Sequence, residues 1–261
     1  MTVLKSNHHN EVSFDAPIKS IIPGTDKDLL LIETADLATK VQTFFLVSLV
    51  KMEIIQAISL GEDYNGMVVK SYTNNRLLLI QYSSENNPDL TNIYLFSWNG
   101  GAPIFQLNDS RIVKLGPDWV QVPHPHFVGK HAYFDLQSGE VLKYEPTADY
   151  TDPKELCTFA VGYPESSEYF DWFKQYFRPH DIYPCRKVEY LKTKEKIFIS
   201  YYHEKDSSLM HSLAILDLEG QLLECILLDE KLPGIGKDNF FVMGNKAIFV
   251  THKGTLNIYD L

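Results

Sequence analysis

No stretch of the 261-residue chain approaches the roughly 18 consecutive apolar residues of a membrane-spanning helix. Residues 1–10 have no basic start followed by an apolar block, so they do not read as a secretory leader. Cysteine is scarce. Cys157, Cys185 and Cys225 form no C-x-x-C pair, and an odd number suits no closed disulfide framework. These absences predict reduced thiols in a cytoplasmic protein, with no disulfide and no structural metal. Positive charge is also short. Lys plus Arg is 24 against 34 Asp plus Glu, a formal charge of −10. Nucleic acid and anionic membrane both need a basic footprint, so neither is expected as a partner. Catalytic signatures are missing as well: there is no G-x-S-x-G, no phosphate-binding glycine loop, no H-E-x-x-H. No cofactor is implied.

What the chain does have is core-forming material. Hydrophobic residues make up 44% and charged residues 22%, and a chain this long can bury a core without cross-links. Strands dominate. Leu29-Leu30-Leu31-Ile32, Leu77-Leu78-Leu79-Ile80, Ile197-Phe198-Ile199 and Ala247-Ile248-Phe249-Val250 are short and continuously apolar. Continuous rather than alternating hydrophobicity means burial on both faces of a strand.

A repeat runs through these strands. Each copy is a hydrophobic strand ending in Ser or Asp plus an apolar residue, usually with Gly soon after. The anchors Ser48, Ser97, Asp135, Asp217 and Asp260 are spaced by 49, 38, 82 and 43. Several strands per unit of about 40–50 residues is the pattern of a β-propeller. The reading is a single all-β propeller domain over 1–261 with five blades. Its strands, A to D in chain order, are 18–22, 28–33, 42–49 and 52–59; then 66–73, 76–83, 91–98 and 102–107; then 111–115, 119–123, 130–136 and 140–144; then 183–192, 196–203, 211–218 and 221–228. A last blade has only 239–243, 246–251 and 255–261. Residues 12–15 are expected to supply its fourth strand, which would cover an otherwise open edge.

The spacing of 82 leaves room for a sixth blade. The reading preferred is an insertion at 145–180, which carries Pro146, Pro153, Pro164 and Pro179 and no copy of the repeat. Within it, 166–177 predicts a helix capped by Ser166 or Ser167 and ended by Arg178-Pro179.

The [Ile/Leu/Phe]-x-Asp-Leu-x-x-Gly hairpins resemble those of WD, pyrroloquinoline-quinone-repeat and related propellers. The signatures of those families are missing: no Trp-Asp dipeptide closes a blade and no Gly-His recurs. Residues 33–139 are also similar to part of an uncharacterised bacterial family, a domain of unknown function. The similarity lies in a first strand ending at Glu33-Thr34-Ala35-Asp36 and hairpins such as Phe134-Asp135-Leu136-Gln137-Ser138-Gly139. That resemblance implies a propeller-like fold and brings no activity with it.

Three patterns could carry chemistry. His124-Pro125-His126 places two imidazoles on one side of an extended segment, but zinc needs three or four ligands, so turn histidines are expected here. Every inferred D-to-A crossing carries an aspartate: Asp15, Asp63, Asp109, Asp181 and Asp238. Crossings of this kind lie at one face of a propeller. The carboxylates therefore either ring a mouth, where a pair could run glycoside hydrolysis or bind a hard cation, or simply cap turns. Finally, Tyr169, Trp172 and Tyr176 share a helical face at i, i+3 and i+7. They either pack on the propeller or act as a lid offering rings to a ligand. Two functions follow. One is a non-enzymatic binding or scaffold module for an unknown protein or small polar ligand. The other is an enzyme acting on a carbohydrate or similar polar molecule at a mouth lined by Asp63, Asp109 and Asp181.

Overall fold

Runs such as Leu77–Ile80 are apolar at every position because successive side chains serve different neighbours. In the computed structural model, Leu77 and Leu79 pack with Leu29, Leu31, Phe44 and Leu46 of one sheet. Leu78 and Ile80 pack with Val120, Val122 and Phe134 of another. Side chains alternate across a strand, so both faces are buried only if a sheet lies on each. The structure describes residues 9–24, 26–36, 38–39, 41–83, 89–124, 126–147, 152–236 and 239–261.

The chain divides into two compact units, one of residues 16–156 and one joining the first fifteen residues to 157–261. In chain order, β1 (His9–Ser13) belongs to the second of these. The first unit has β2 (Ile18–Pro23), β3 (Leu29–Ala35), β4 (Gln42–Ser48) and β5 (Glu53–Ser59) in one sheet. Next come β6 (Val68–Tyr72), β7 (Arg76–Tyr82), β8 (Thr91–Ser97) and β9 (Phe105–Ser110), then β10 (Lys114–Leu115), β11 (Trp119–Pro123) and β12 (His131–Asp135). All pair antiparallel with their sequence neighbours, and the sheets stack face to face. The up-and-down four-stranded meander is the blade motif of a β-propeller. The strand expected at 140–144 is reduced to one bridge, between Phe134 and Val141. Polar, exposed Glu140 and Lys143 flank that bridge and offer no second face to bury.

The second unit adds β13 (Cys157–Phe159), β14 (Val161–Pro164), helix α1 (Phe170–Phe177), β15 (Cys185–Lys192), β16 (Ile197–Lys205), β17 (Ser208–Leu216) and β18 (Leu222–Asp229). It ends with β19 (Phe240–Met243), β20 (Lys246–Thr251) and β21 (Thr255–Asp260). The expected closing strand is present. β1 pairs antiparallel with β21, from His9 opposite Tyr259 to Ser13 opposite Thr255, three residues earlier than 12–15. Among the described residues there are five antiparallel sheets, and the protein is all-β of propeller type with one short helix.

Residues 145–180 form no sheet of their own among those described. They lend one short strand to each neighbouring sheet, β13 to β19 and β14 to β15. The helix starts four residues later than 166. Ser167 is spent on a preceding turn, with its N–H on the Pro164 carbonyl and its Oγ accepting from the Tyr169 N–H. No side chain caps the helix. The helix ends at Phe177, as expected, and the chain turns on through the 3-10 segment Arg178–His180, whose first turn suits Pro179. Helix α1 buries Phe170, Phe173 and Phe177 against Val188, Ile199, Tyr201, Ala214 and Leu216. Within this unit it covers one face of the β15–β18 sheet, and the β19–β21 sheet covers the other through Leu191, Phe198, Leu213 and Phe249.

Candidate functional site

Each meander places its D-to-A crossings and its B–C turns at one end. The aspartates expected there divide by environment. Asp63 lies exposed in the first turn of a 3-10 segment, Glu62–Tyr64. Asp181 caps the segment Arg178–His180 in the left-handed region, at φ 57°, and its carboxylate accepts from the Tyr183 hydroxyl at 3.4 Å. Both positions use Asp as a turn residue. Asp15 belongs to the unit of Asp181, and Asp238 lies outside the described residues.

Asp109 differs. Strand β9 runs to Ser110, three residues past the expected end, and its pairing with β8 slips between Thr91 and Ile93. At this bulge Asp109 takes φ 46°, and its N–H donates to Asn92 Oδ1 at 3.2 Å. Bulges re-aim side chains at sheet ends and recur beside functional sites. Here the bulge borders a groove of about 650 Å³ lined by Gln106 to Arg111, Asp89, Leu90, Val122, Pro123 and His124. A second cavity of about 410 Å³ adjoins it, lined by Lys70, Ile80, Tyr82, Thr91, Ile112 and Val113, and Asp89 and Arg111 belong to both walls. The groove thus brings together Asp109 and His124, two residues singled out by sequence, with Asp89 and Arg111, which were not, and Lys70 lines the adjoining cavity. Asp89 precedes β8 and Arg111 follows β9, so the missed residues give no local motif. Pro125 lies outside the described residues. His124 Nδ1 accepts the His126 N–H at 3.1 Å, a turn contact that occupies one imidazole nitrogen. Among the described residues no three His, Cys, Asp or Glu side chains converge on a metal position.

The three rings sit elsewhere. Tyr169 and Trp172 are exposed, Trp172 by 53%, while Tyr176 is half-buried. Trp172 and Tyr176 stack at 5.2 Å and 16°. The Tyr176 hydroxyl donates to the Gly220 carbonyl at 2.7 Å, which fixes it at the β17–β18 turn. That turn is at the opposite end of the meander from Cys185, where the crossing after Asp181 enters β15.

The buried carboxylates near the crossing end are glutamates that the sequence reading passed over. Glu33 accepts from Lys19 at 2.6 Å, Ser20 at 2.7 Å and Gln42 at 2.7 Å. Gln42 in turn holds the next crossing by both polar backbone atoms of Met67. Glu189 accepts from Lys187, from Ser200 and from both the backbone and side-chain N–H of Asn239, the residue that precedes β19. Each network pins the entry to the next sheet. For Glu33 the signal was an acidic residue interrupting a continuously apolar run; Glu189 stands in a mixed strand two residues from Lys187 and gave no such sign.

His211 belongs to the second network, hydrogen-bonded through Nε2 to Ser200 Oγ at 3.2 Å and stacked on Tyr202 at 4.2 Å. Burial, then the charges of Lys187 and His203, push its pKa down from 6.5 to about 3. Between those values the unfolded chain binds the proton and the folded chain does not. Stability is therefore full above about pH 6.5 and falls as pH drops toward 3. The expected loss by pH 4 is on the order of 3 kcal/mol. His211→Gln should flatten the urea-unfolding free energy between pH 7 and pH 4. An unaltered slope in that variant would remove His211 from the account.

No protein-family model matches the chain, and no curated protein matches it. It is similar to the solved structure of a DUF4221 family member from Bacteroides vulgatus, at 10% identity over 98% of each chain, with a TM-score of 0.32. It is also similar to the β-propeller domain of the Trilobed protease from Pyrococcus furiosus, at 10% identity over 95% of this chain and 94% of that one, again with a TM-score of 0.32. These likenesses assign no chemistry to this chain.

Proposed function

We propose that the protein is a binding module whose ligand is a small polar molecule carrying both charges, such as an amino acid or short peptide. The groove beside the Asp109 bulge carries this reading. Arg111 suits a carboxylate and Asp109 an ammonium group, while Leu107 and Val122 supply apolar wall; Lys70 and Ile80 line the adjoining cavity, which shares Arg111. A cavity of several hundred Å³ with a few polar groups is the usual small-ligand form. An acidic protein has little attraction for nucleic acid or anionic lipid, and none of the helices described is long and apolar enough to cross a membrane. We place the protein in the cytoplasm, where its three unpaired cysteines stay reduced. Burial raises the Cys157 thiol to about 11, so that thiol is a poor nucleophile.

The test is a thermal-shift screen of amino acids and dipeptides on the wild type, Arg111→Ala and Asp109→Asn. Stabilisation by one ligand class that disappears in both variants is expected. No stabilising ligand, or equal stabilisation in the variants, would overturn the reading. A second reading, glycoside hydrolysis, rests on Asp89 and Asp109 lining the same cavity. It requires turnover of nitrophenyl glycosides that Asp109→Asn abolishes.

A further inference from the structure

The second unit has its own cavity at the turn end. The β15–β16 and β19–β20 turns come together there because their sheets stack through Leu191, Phe198, Phe240 and Val242. Between them lies a space of about 390 Å³ floored by Leu191, Val242 and Leu261 and bordered by Thr158. Its rim is basic. Lys192-Thr193-Lys194-Glu195-Lys196 puts three cations in five positions of a chain whose net charge is −10.

Those cations are not equivalent. Lys196 lies over the Tyr259 ring at 4.6 Å, and nearby Lys246 pairs with Asp260 at 2.5 Å. Lys192 and Lys194 line the cavity, are exposed, and have no ion-pair partner among the described residues. Glu195 is the opposing charge on the same rim. The turn that presents them is held by Thr193, whose Oγ1 accepts the N–H groups of Glu195 and Lys196 and donates to the Lys196 carbonyl. An apolar floor of small-molecule size under two cations outside any ion pair among the described residues matches one ligand chemistry.

We propose that this cavity binds an amphipathic anion, an alkyl or aryl carboxylate whose apolar body lies on Leu191, Val242 and Leu261 and whose head meets Lys192 and Lys194. The proposal is independent of the Asp109 groove, which belongs to the other unit.

The full-length protein titrated with 1-anilinonaphthalene-8-sulfonate tests it. One saturable site is expected, displaced by octanoate and not by octanol. Lys192→Ala/Lys194→Ala should weaken the dye at least tenfold, and Glu195→Lys should tighten it several-fold. The second variant adds a cation rather than removing one, so a loss of folding cannot mimic it. Absence of saturable binding, displacement by octanol as effective as by octanoate, or affinity unmoved in both variants would each overturn the proposal.

Discussion

Removing residues 1–14 is expected to lower the melting temperature by about 10 °C, since each kcal/mol shifts a domain of this size by about 2–4 °C. The deletion takes away β1, which pairs with β21 over five residues. Val12 is 8% exposed in place, and losing its burial costs about 2 kcal/mol. His9 Nε2 lies 2.5 Å from Asn257 Oδ1, and Asn257 is fully buried. Leaving that oxygen without its partner costs about 1–3 kcal/mol more. The bared edge of β21 would also favour aggregation. Calorimetry with light scattering reads both effects. A truncated chain that melts with the wild type would show that β1 only lies along the sheet without stabilising it.

Glu189→Ala is expected to be comparably damaging, by about 3–5 kcal/mol. The reason is what the substitution leaves behind. Lys187 keeps a charge on a largely buried side chain, and Asn239 loses the acceptor for two N–H groups. A buried ion pair adds little over an apolar pair of the same shape, but breaking one side strands the other. The double variant Glu189→Leu/Lys187→Met should therefore recover much of the loss. Urea unfolding of the single and double variants decides it. If the double variant is no better than the single, then the hydrogen bonds to Asn239, not the stranded charge, set the cost.

The same contrast separates the strands from the acidic residues. Leu29–Ile32 and Leu77–Ile80 announced two covered faces, because no other environment tolerates four apolar side chains in succession. The aspartates at the crossings gave no comparable sign. An Asp in a turn reads the same whether it caps its own backbone, as Asp181 does, or borders a cavity, as Asp109 does. The bulge that sets Asp109 apart depends on the β8–β9 register. Sequence spacing does not reveal that register. The helix shows the limit from the other side. Its aromatic residues fitted either a packing element or a lid, and nothing local said that Phe170, Phe173 and Phe177 would cover a sheet face while Trp172 stayed exposed.

By itself, then, the sequence determined the all-β class, most strand positions in the repeat, and the return of the N-terminal strand to the last sheet. These follow from side-chain alternation and turn chemistry, which act over a few residues. Only the tertiary structure decided that residues 145–180 extend two existing sheets rather than build another, that Glu33 and Glu189 hold the crossings, and that Asp109 shares a groove with Arg111 and His124. Each of these depends on which distant strands meet and in what register, and a shift of one residue would turn every side chain involved to the other face.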